Sequence, residues 1–290
     1  MANVRDIRKR IRSVKSTQQI TKAMKMVAAA KLRRAQEKAV AARPYNRGMG
    51  EVLKRVAGRA DAAKHTLLAA RDSGFVVVVV ITADRGLCGG FNQNALKAAT
   101  RMMKEAETRG EDARLYVIGR KAREYFRRRP YKVIKEKLNV FANLAFGHAV
   151  TIGNELMELF LSGGAREVRV VGNRFRSLLT QEIHEFPLLP VPRVAQVQGA
   201  AESDYIYEPD PDRILEKLLP LHVHLQVYHA LMESSAAEHA ARMMAMENAT
   251  KNAGEMIEKL TLTMNKIRQA SITRELIEVV SGASAQSEGS

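Results

Sequence analysis

The sequence runs to 290 residues, with 47 Lys and Arg against 31 Asp and Glu, a formal net charge of +16, no tryptophan and one cysteine, Cys88. A single thiol excludes an internal disulfide framework and suits a reducing compartment. Charged residues follow the first methionine with no apolar signal core, and the longest apolar run, Phe75 to Ile81, is too short to cross a bilayer, so a soluble or peripheral protein is expected.

The first stretch predicts a long helix. Asn3 is a candidate cap and Asp6 falls in the first turn. Val4, Ile7, Ile11, Val14, Gln18, Thr21, Lys25, Ala28, Leu32, Ala35, Ala39 and Ala42 then recur at heptad spacing. Most seam residues after position 25 are alanine, which lets a partner helix approach closely. Pro44, Gly48 and Gly50 are expected to disturb the helix, which resumes through Val52 and Val56 and finishes at Gly58. Residues 1–47 hold fourteen Lys and Arg but only two acids, Asp6 and Glu37. Such a face is either attracted to an acidic surface, on a protein collar or a nucleic acid, or is simply a solvated, self-repelling helix side.

Residues 59–74 read as a polar connection, after which the hydrophobic period changes. Phe75 to Thr82 is a continuous β-branched run, the mark of a strand buried on both faces of a parallel sheet. Helix from Asn92 to Arg109, strand from Arg114 to Ile118 and helix from Lys121 to Arg129 follow. Then come a helix from Val150 to Leu161 and a strand from Glu167 to Val171, with Leu179 to Phe186 as a possible edge strand. This alternation predicts a small open sheet with right-handed crossovers. Residues 187–211 form an irregular lead-in whose apolar knot is Tyr205, Ile206 and Tyr207.

A second long helix is predicted from Asp210 as cap and Pro211 at the first turn to a stop at Ser281 and Gly282, with a kink at Pro220. Its seam runs through Ile214, Leu218, Leu221, Leu225, Tyr228, Met232, Met246, Ala249, Ala253, Met256, Leu260, Ile267, Ala270 and Ile277, interrupted at Ser235, His239, Arg242, Thr263, Arg274 and Ser281. About 72 residues give a rod of roughly 110 Å, against roughly 40 Å for the intervening domain. The rod should project beyond the domain, and its apolar tip (Ile272, Leu276, Ile277, Val279, Val280) should need another molecule around it. The expected fold class is therefore α/β: a long antiparallel coiled coil of N- and C-terminal helices plus a small Rossmann-like open domain. The segments are 1–58, 59–209 and 210–290.

The turn Asp84 to Gly90 sits after the first strand, where phosphate is often cradled, but it matches neither GxGxxG nor GxxxxGK[ST], so a tight strand-to-helix turn is the better reading. Cys88 has no histidine beside it in sequence and no second cysteine, which favours a quiet thiol. His222 and His224 point to different sides of a helix, and no HExxH or Cys/His cluster is present, so no metal is expected. Carboxylate pairs such as Glu255 and Glu258 lie among lysines on a helix surface. No catalytic residue and no cofactor are expected.

Four motifs carry more than periodicity: STQQITKAMKMVAAAKLRRAQ (16–36), ITADRGLCGGFN (81–92), YIYEPDP (205–211) and NKIRQASITRELIEVVSGA (265–283). Together, and in order over the whole chain, they resemble the gamma subunit of the rotary F-type ATP synthase. The resemblance implies a central shaft, non-catalytic itself, inside a ring of three alpha and three beta subunits, which alone hold ATP and ADP. It further implies a foot against the c-subunit ring and the epsilon subunit, on the cytoplasmic side of the bacterial inner membrane. By the same resemblance Met24, Lys25, Arg242, Arg268, Gln269, Ala270, Ile272, Thr273, Glu278, Val279 and Val280 would face the alpha/beta ring, and Tyr205, Tyr207 and Glu208 the c ring and epsilon. Many family members carry an acid at the position of Lys25, and the cysteine-bearing insertion of plastid homologues is absent here, so thiol control is not implied. Two other readings stand beside it: a basic coiled-coil nucleic-acid binder, and a small Rossmann-like enzyme with helical appendages.

Overall fold

The computed structural model describes residues 4–57, 59, 64–192, 208 and 210–287. Two long helices, α1 (Val4–Ala57) and α5 (Pro211–Ser287), flank a domain of alternating strands and helices. In order these are β1 (Phe75–Ile81), α2 (Phe91–Thr108), β2 (Ala113–Ile118), α3 (Arg120–Phe126), β3 (Val133–Lys137), α4 (Phe146–Leu161), β4 (Ala165–Phe175) and β5 (Gln181–Leu189). The chain forms two units, residues 1–27 with 243–290 and residues 28–242.

In the larger unit the strands lie in the order β3-β2-β1-β4-β5, parallel except for β5, which runs antiparallel along the edge of β4. The central strand β1 shows why a β-branched run is needed. Val77, Val79 and Ile81 enter one core, with Phe160, Leu156 and Ile152 of α4, while Val76, Val78 and Val80 enter the other, with Leu96, Ala99, Met102 and Met103 of α2. Branched side chains pack well on both faces of a pleated strand, and each buried Val or Ile contributes about 1.5–3 kcal/mol. At the end of β1 the Thr82 hydroxyl donates to the Ile118 carbonyl at 3.2 Å and accepts from the Ala122 amide at 2.9 Å, tying β1 to the start of α3. Gly119 makes that approach possible: at φ +96° a Cβ there would lie 2.0 Å from the Thr82 carbonyl oxygen.

The root of α5 buries a second stripe beside the predicted seam, whose Leu225 and Met232 are also buried. Leu215, Leu219, Val223, Val227 and Leu231, four residues apart, enter the core beside α4 together with Leu53 and Val56 of α1. Further along, small residues serve two neighbours at once. Ala236 and Ala240 close on Leu32 of α1, and Ala237 and Ala241 on Ala83, Cys88 and Phe91 of the β1–α2 turn.

Several expected boundaries shift. α1 is continuous through Pro44, Gly48 and Gly50, because one lost backbone bond and the weak helix propensity of glycine are offset by burial of Leu53 and Val56 in its last two turns. α5 begins as expected, with the Asp210 carboxylate accepting from the Arg213 amide at 2.9 Å. It continues past Ser281 and Gly282 to Ser287, since a glycine costs a helix only about 1 kcal/mol and Ala283 and Ala285 favour it. α3 stops at Phe126, β4 extends to Phe175, and β3 and the 3-10 turn Val140–Asn143 were not anticipated. β3 reads VIKEK, too short and too charged to be seen as a strand except through its pairing with β2. The predicted caps and stops at Asn3 and Gly58, and the knot at Tyr205, Ile206 and Tyr207, lie outside the described residues.

Candidate functional site

The smaller unit is an antiparallel helix pair. Lys25 Nζ meets Glu247 Oε1 at 2.8 Å, the Thr21 and Thr250 hydroxyls lie 2.8 Å apart, and Gln18 Nε2 donates to the Thr250 carbonyl at 3.4 Å. As the α1 partner falls from 25 to 18 the α5 partner rises, as opposite chain directions require. Ile7, Ile11 and Thr21 of α1 and Met246 and Ala253 of α5 are buried, on the predicted seams. Gly254 leaves room for the Gln18 side chain, since a Cβ there would lie 3.2 Å from Gln18 Nε2.

Further along α5 the burial stops, and every residue from 268 to 281 is exposed. The tip keeps a strongly apolar side: Ile272 is 50% exposed, Leu276 60%, Ile277 61%, Val279 69% and Val280 63%. Five large apolar side chains in three turns, with polar hydrogen bonds confined to their own helix (Thr273 to the Gln269 carbonyl, Ser271 to Glu275), make a surface built for covering. Arg268, Gln269, Ala270, Ile272, Thr273, Glu278, Val279 and Val280 are all brought together on this tip. Met24 and Lys25 are half-buried on the paired segment.

Arg242 belongs to the larger unit and makes two hydrogen bonds there. Its Nη1 meets Glu238 Oε1 at 2.5 Å and its Nη2 donates to the Gly86 carbonyl at 3.2 Å. Burial raises the Glu238 carboxyl above the ordinary range, against the pull of Arg242; the adjacent His239 is depressed to about 4 by burial, with Arg242 and Lys31 adding to it. Two neighbouring residues of α5 join the same dock: the Ser234 hydroxyl bonds both the amide and the carbonyl of Asn173, and the Glu233 carboxylate accepts from the Phe175 amide. In this stretch the sequence marks Ser235, His239 and Arg242 only as seam interruptions; the i, i+4 pair Glu238/Arg242 is the available signal for a buried clamp. The partner of Lys25, Glu247, was likewise missed, since only the pairing register brings it near.

The turn after β1 is filled by its own chain. Asp84 Oδ1 accepts from the amides of Arg120 and Asn139, and Asn92 Oδ1 from that of Ala83. A carboxylate thus sits where a phosphate-binding turn would offer amides. Cys88 is 1% exposed and its thiol is pushed up by burial, consistent with a quiet residue. Of the proposed foot residues, Glu208 is exposed, and Tyr205 and Tyr207 lie outside the described residues.

A family model described as ATP synthase matches residues 3–286. The chain is 49% identical over 283 residues to the ATP synthase gamma chain of Geobacter sp. (strain M21), covering 98% of each. It is 50% identical over 288 residues to that of Anaeromyxobacter sp. (strain Fw109-5), covering 98% of this chain and 99% of the relative. Among solved structures, a chain of the Tetrahymena thermophila mitochondrial ATP synthase central stalk and c-ring superposes with a TM-score of 0.61 at 26% identity, over 79% of this chain and 99% of that one. A chain of the Euglena gracilis mitochondrial ATP synthase in rotational state 3 gives a TM-score of 0.67 at 23% identity, over 99% and 95%, and supports the fold. Whole-length identity near one half, joined to paired terminal helices around an α/β domain, places the sequence in one family: the chain belongs to the ATP synthase gamma chains.

Proposed function

We propose that the paired helices turn as a shaft inside a ring of three alpha and three beta subunits, and that the chain catalyses nothing itself. As a gamma chain it is the central rotor subunit, coupling ion flow through the membrane sector to ATP synthesis and hydrolysis at the ring. The observation that supports the detailed reading is the form of the smaller unit. It is a pair of unlike helices, one of which carries a bare apolar stretch from Arg268 to Val280. Such an object has no threefold axis, so three chemically identical beta subunits around it meet three different surfaces. Each beta conformation binds nucleotide with its own affinity, and the orientation of the shaft selects which site adopts which.

In this reading Arg268 to Val280 run in an apolar bearing at the top of the ring. Met24 and Lys25 face beta lower down, with the fourteen cations of residues 1–47 suited to an acidic collar. Arg242 acts from inside the larger unit, where it clamps α5 to the β1–α2 turn, rather than as an open contact. Tyr205, Tyr207 and Glu208 contribute to the foot against the c ring and epsilon. No described helix is long and apolar enough to cross a membrane, so attachment runs through those partners, on the cytoplasmic side of the inner membrane.

Nothing in the comparisons supports nucleic-acid binding. Reconstitution with alpha and beta subunits tests the proposal: the full chain should organise an ATPase-active hexamer, and one cut before Gln269 should lose activity and torque. Unchanged behaviour of the truncated chain would contradict the bearing contacts.

A further inference from the structure

Where α1 and α5 flank the 3-10 turn of the larger unit lies a cavity of about 190 Å³, whose mouth holds three of the cations of α1. One wall carries Lys31, Arg34 and Lys38 of α1, spaced so that all three reach the same opening. None of the three has a carboxylate within ion-pair distance among the described residues. The opposite wall and floor are apolar or aromatic: Phe141 and Leu144 after β3, Tyr228 and Met232 on α5. The remaining lining includes Ser235 and His239, both at least nine-tenths buried, and the Nδ1 of His239 has no hydrogen-bond partner. The nearest buried carboxylate, Glu238, is already matched by Arg242.

We propose that this cavity binds a small amphiphilic organic anion, its apolar body between Tyr228, Met232, Phe141 and Leu144 and its sulfonate, phosphate or carboxylate at the Lys31, Arg34 and Lys38 mouth. Size agrees: an enclosed cavity of about 150 Å³ accepts benzene, so this one takes a ring system of that order while the headgroup stays in the open mouth. Three unpaired cations favour an anion over a neutral ligand, and the aromatic floor excludes a bare inorganic ion as the natural occupant. A ligand so held would bridge both long helices and the 3-10 turn.

The test is calorimetric titration of the full-length chain with naphthalene-1-sulfonate, octanoate, inorganic phosphate and the uncharged 1-naphthalenemethanol. Saturable one-to-one binding of either organic anion, with phosphate and the alcohol much weaker, supports the proposal. The tighter of the two anions identifies an aromatic or an aliphatic body. The triple variant Lys31→Gln, Arg34→Gln, Lys38→Gln should weaken that binding by about tenfold or more, and Ser235→Leu, which fills the cavity, should abolish it. A charge-matched control, Lys9→Gln, Arg12→Gln, Lys15→Gln, should leave it unchanged. The imidazole signals of His239 should shift on binding. No saturable binding, equal loss in both triple variants, or binding indifferent to the cavity variant would each overturn the site.

Discussion

Replacing Arg242 by leucine leaves the Glu238 carboxylate, 6% exposed, without the guanidinium 2.5 Å away. Burial already raises this carboxyl, Arg242 is the largest influence holding it down, and Lys31 helps while Asp84 opposes. The variant can escape an isolated buried charge by taking up a proton. For a group with an ordinary value of 4.5, that costs at most about 3.4 kcal/mol at pH 7. Loss of the bond to the Gly86 carbonyl adds about 1 kcal/mol at any pH, giving a total of at most about 4.4 kcal/mol, of the order found for broken buried pairs. The sign with pH follows from a folded-state value raised further above the unfolded one. The carboxyl part of the penalty is absent in acid, grows by about 1.4 kcal/mol per unit as the pH climbs past the wild-type value, and levels off above the variant's own. Urea unfolding of the full chain at pH 5 and pH 7, followed by tyrosine near-ultraviolet circular dichroism, measures it. Arg242→Leu should be destabilised clearly more at pH 7, and Arg242→Leu with Glu238→Leu should recover most of the loss. An equal penalty at both pH values would refute the reasoning.

Three further outcomes are expected. In Gly153→Ala the new Cβ would fall 2.5 Å from His224 Cδ2, so thermal unfolding should show a loss of about 1–3 kcal/mol, with the His224 to Asn154 hydrogen bond disturbed; an unchanged midpoint would contradict the packing of α4 on α5. Lys25→Ala should alter stability by under about 1 kcal/mol, because its pair with Glu247 is 38% and 46% exposed, and any larger loss in denaturant would show the pair to be more than a surface contact. Cys88 should resist maleimide in the native chain and react once unfolded, as its burial and raised thiol require; rapid native labelling would contradict both.

The long helices were legible because their periodicity is sustained and their starts are chemically marked: Asp210 caps α5, and the seam residues Ile7, Ile11, Thr21, Ala28 and Leu32 are buried. β1 was legible because five consecutive valines admit no other environment. What sequence reading missed depends on tertiary partners. β3 is a strand only because β2 offers its edge; α1 crosses Pro44 only because Leu53 and Val56 find a core; and the root of α5 turns its Leu215 to Leu231 stripe inward because α4 and the sheet are there. At the site, the exposed tip was visible as an apolar stretch and the Glu238/Arg242 pair as an i, i+4 spacing, while the burial of Glu238, the partner Glu247 and the cavity beneath Lys31 needed tertiary neighbours to bring them into view.

The claim that this chain is a turning shaft is tested most directly by watching it turn. Ser177→Cys places a thiol on the exposed turn between β4 and β5, where a bead can be attached without competition from buried Cys88. With the chain assembled in an immobilised alpha/beta hexamer and supplied with ATP, the bead should rotate in one direction with three equal pauses per turn, and lose torque when Ile272, Ile277 and Val280 are replaced by serine. A bead that stays still while the hexamer hydrolyses ATP would contradict the account.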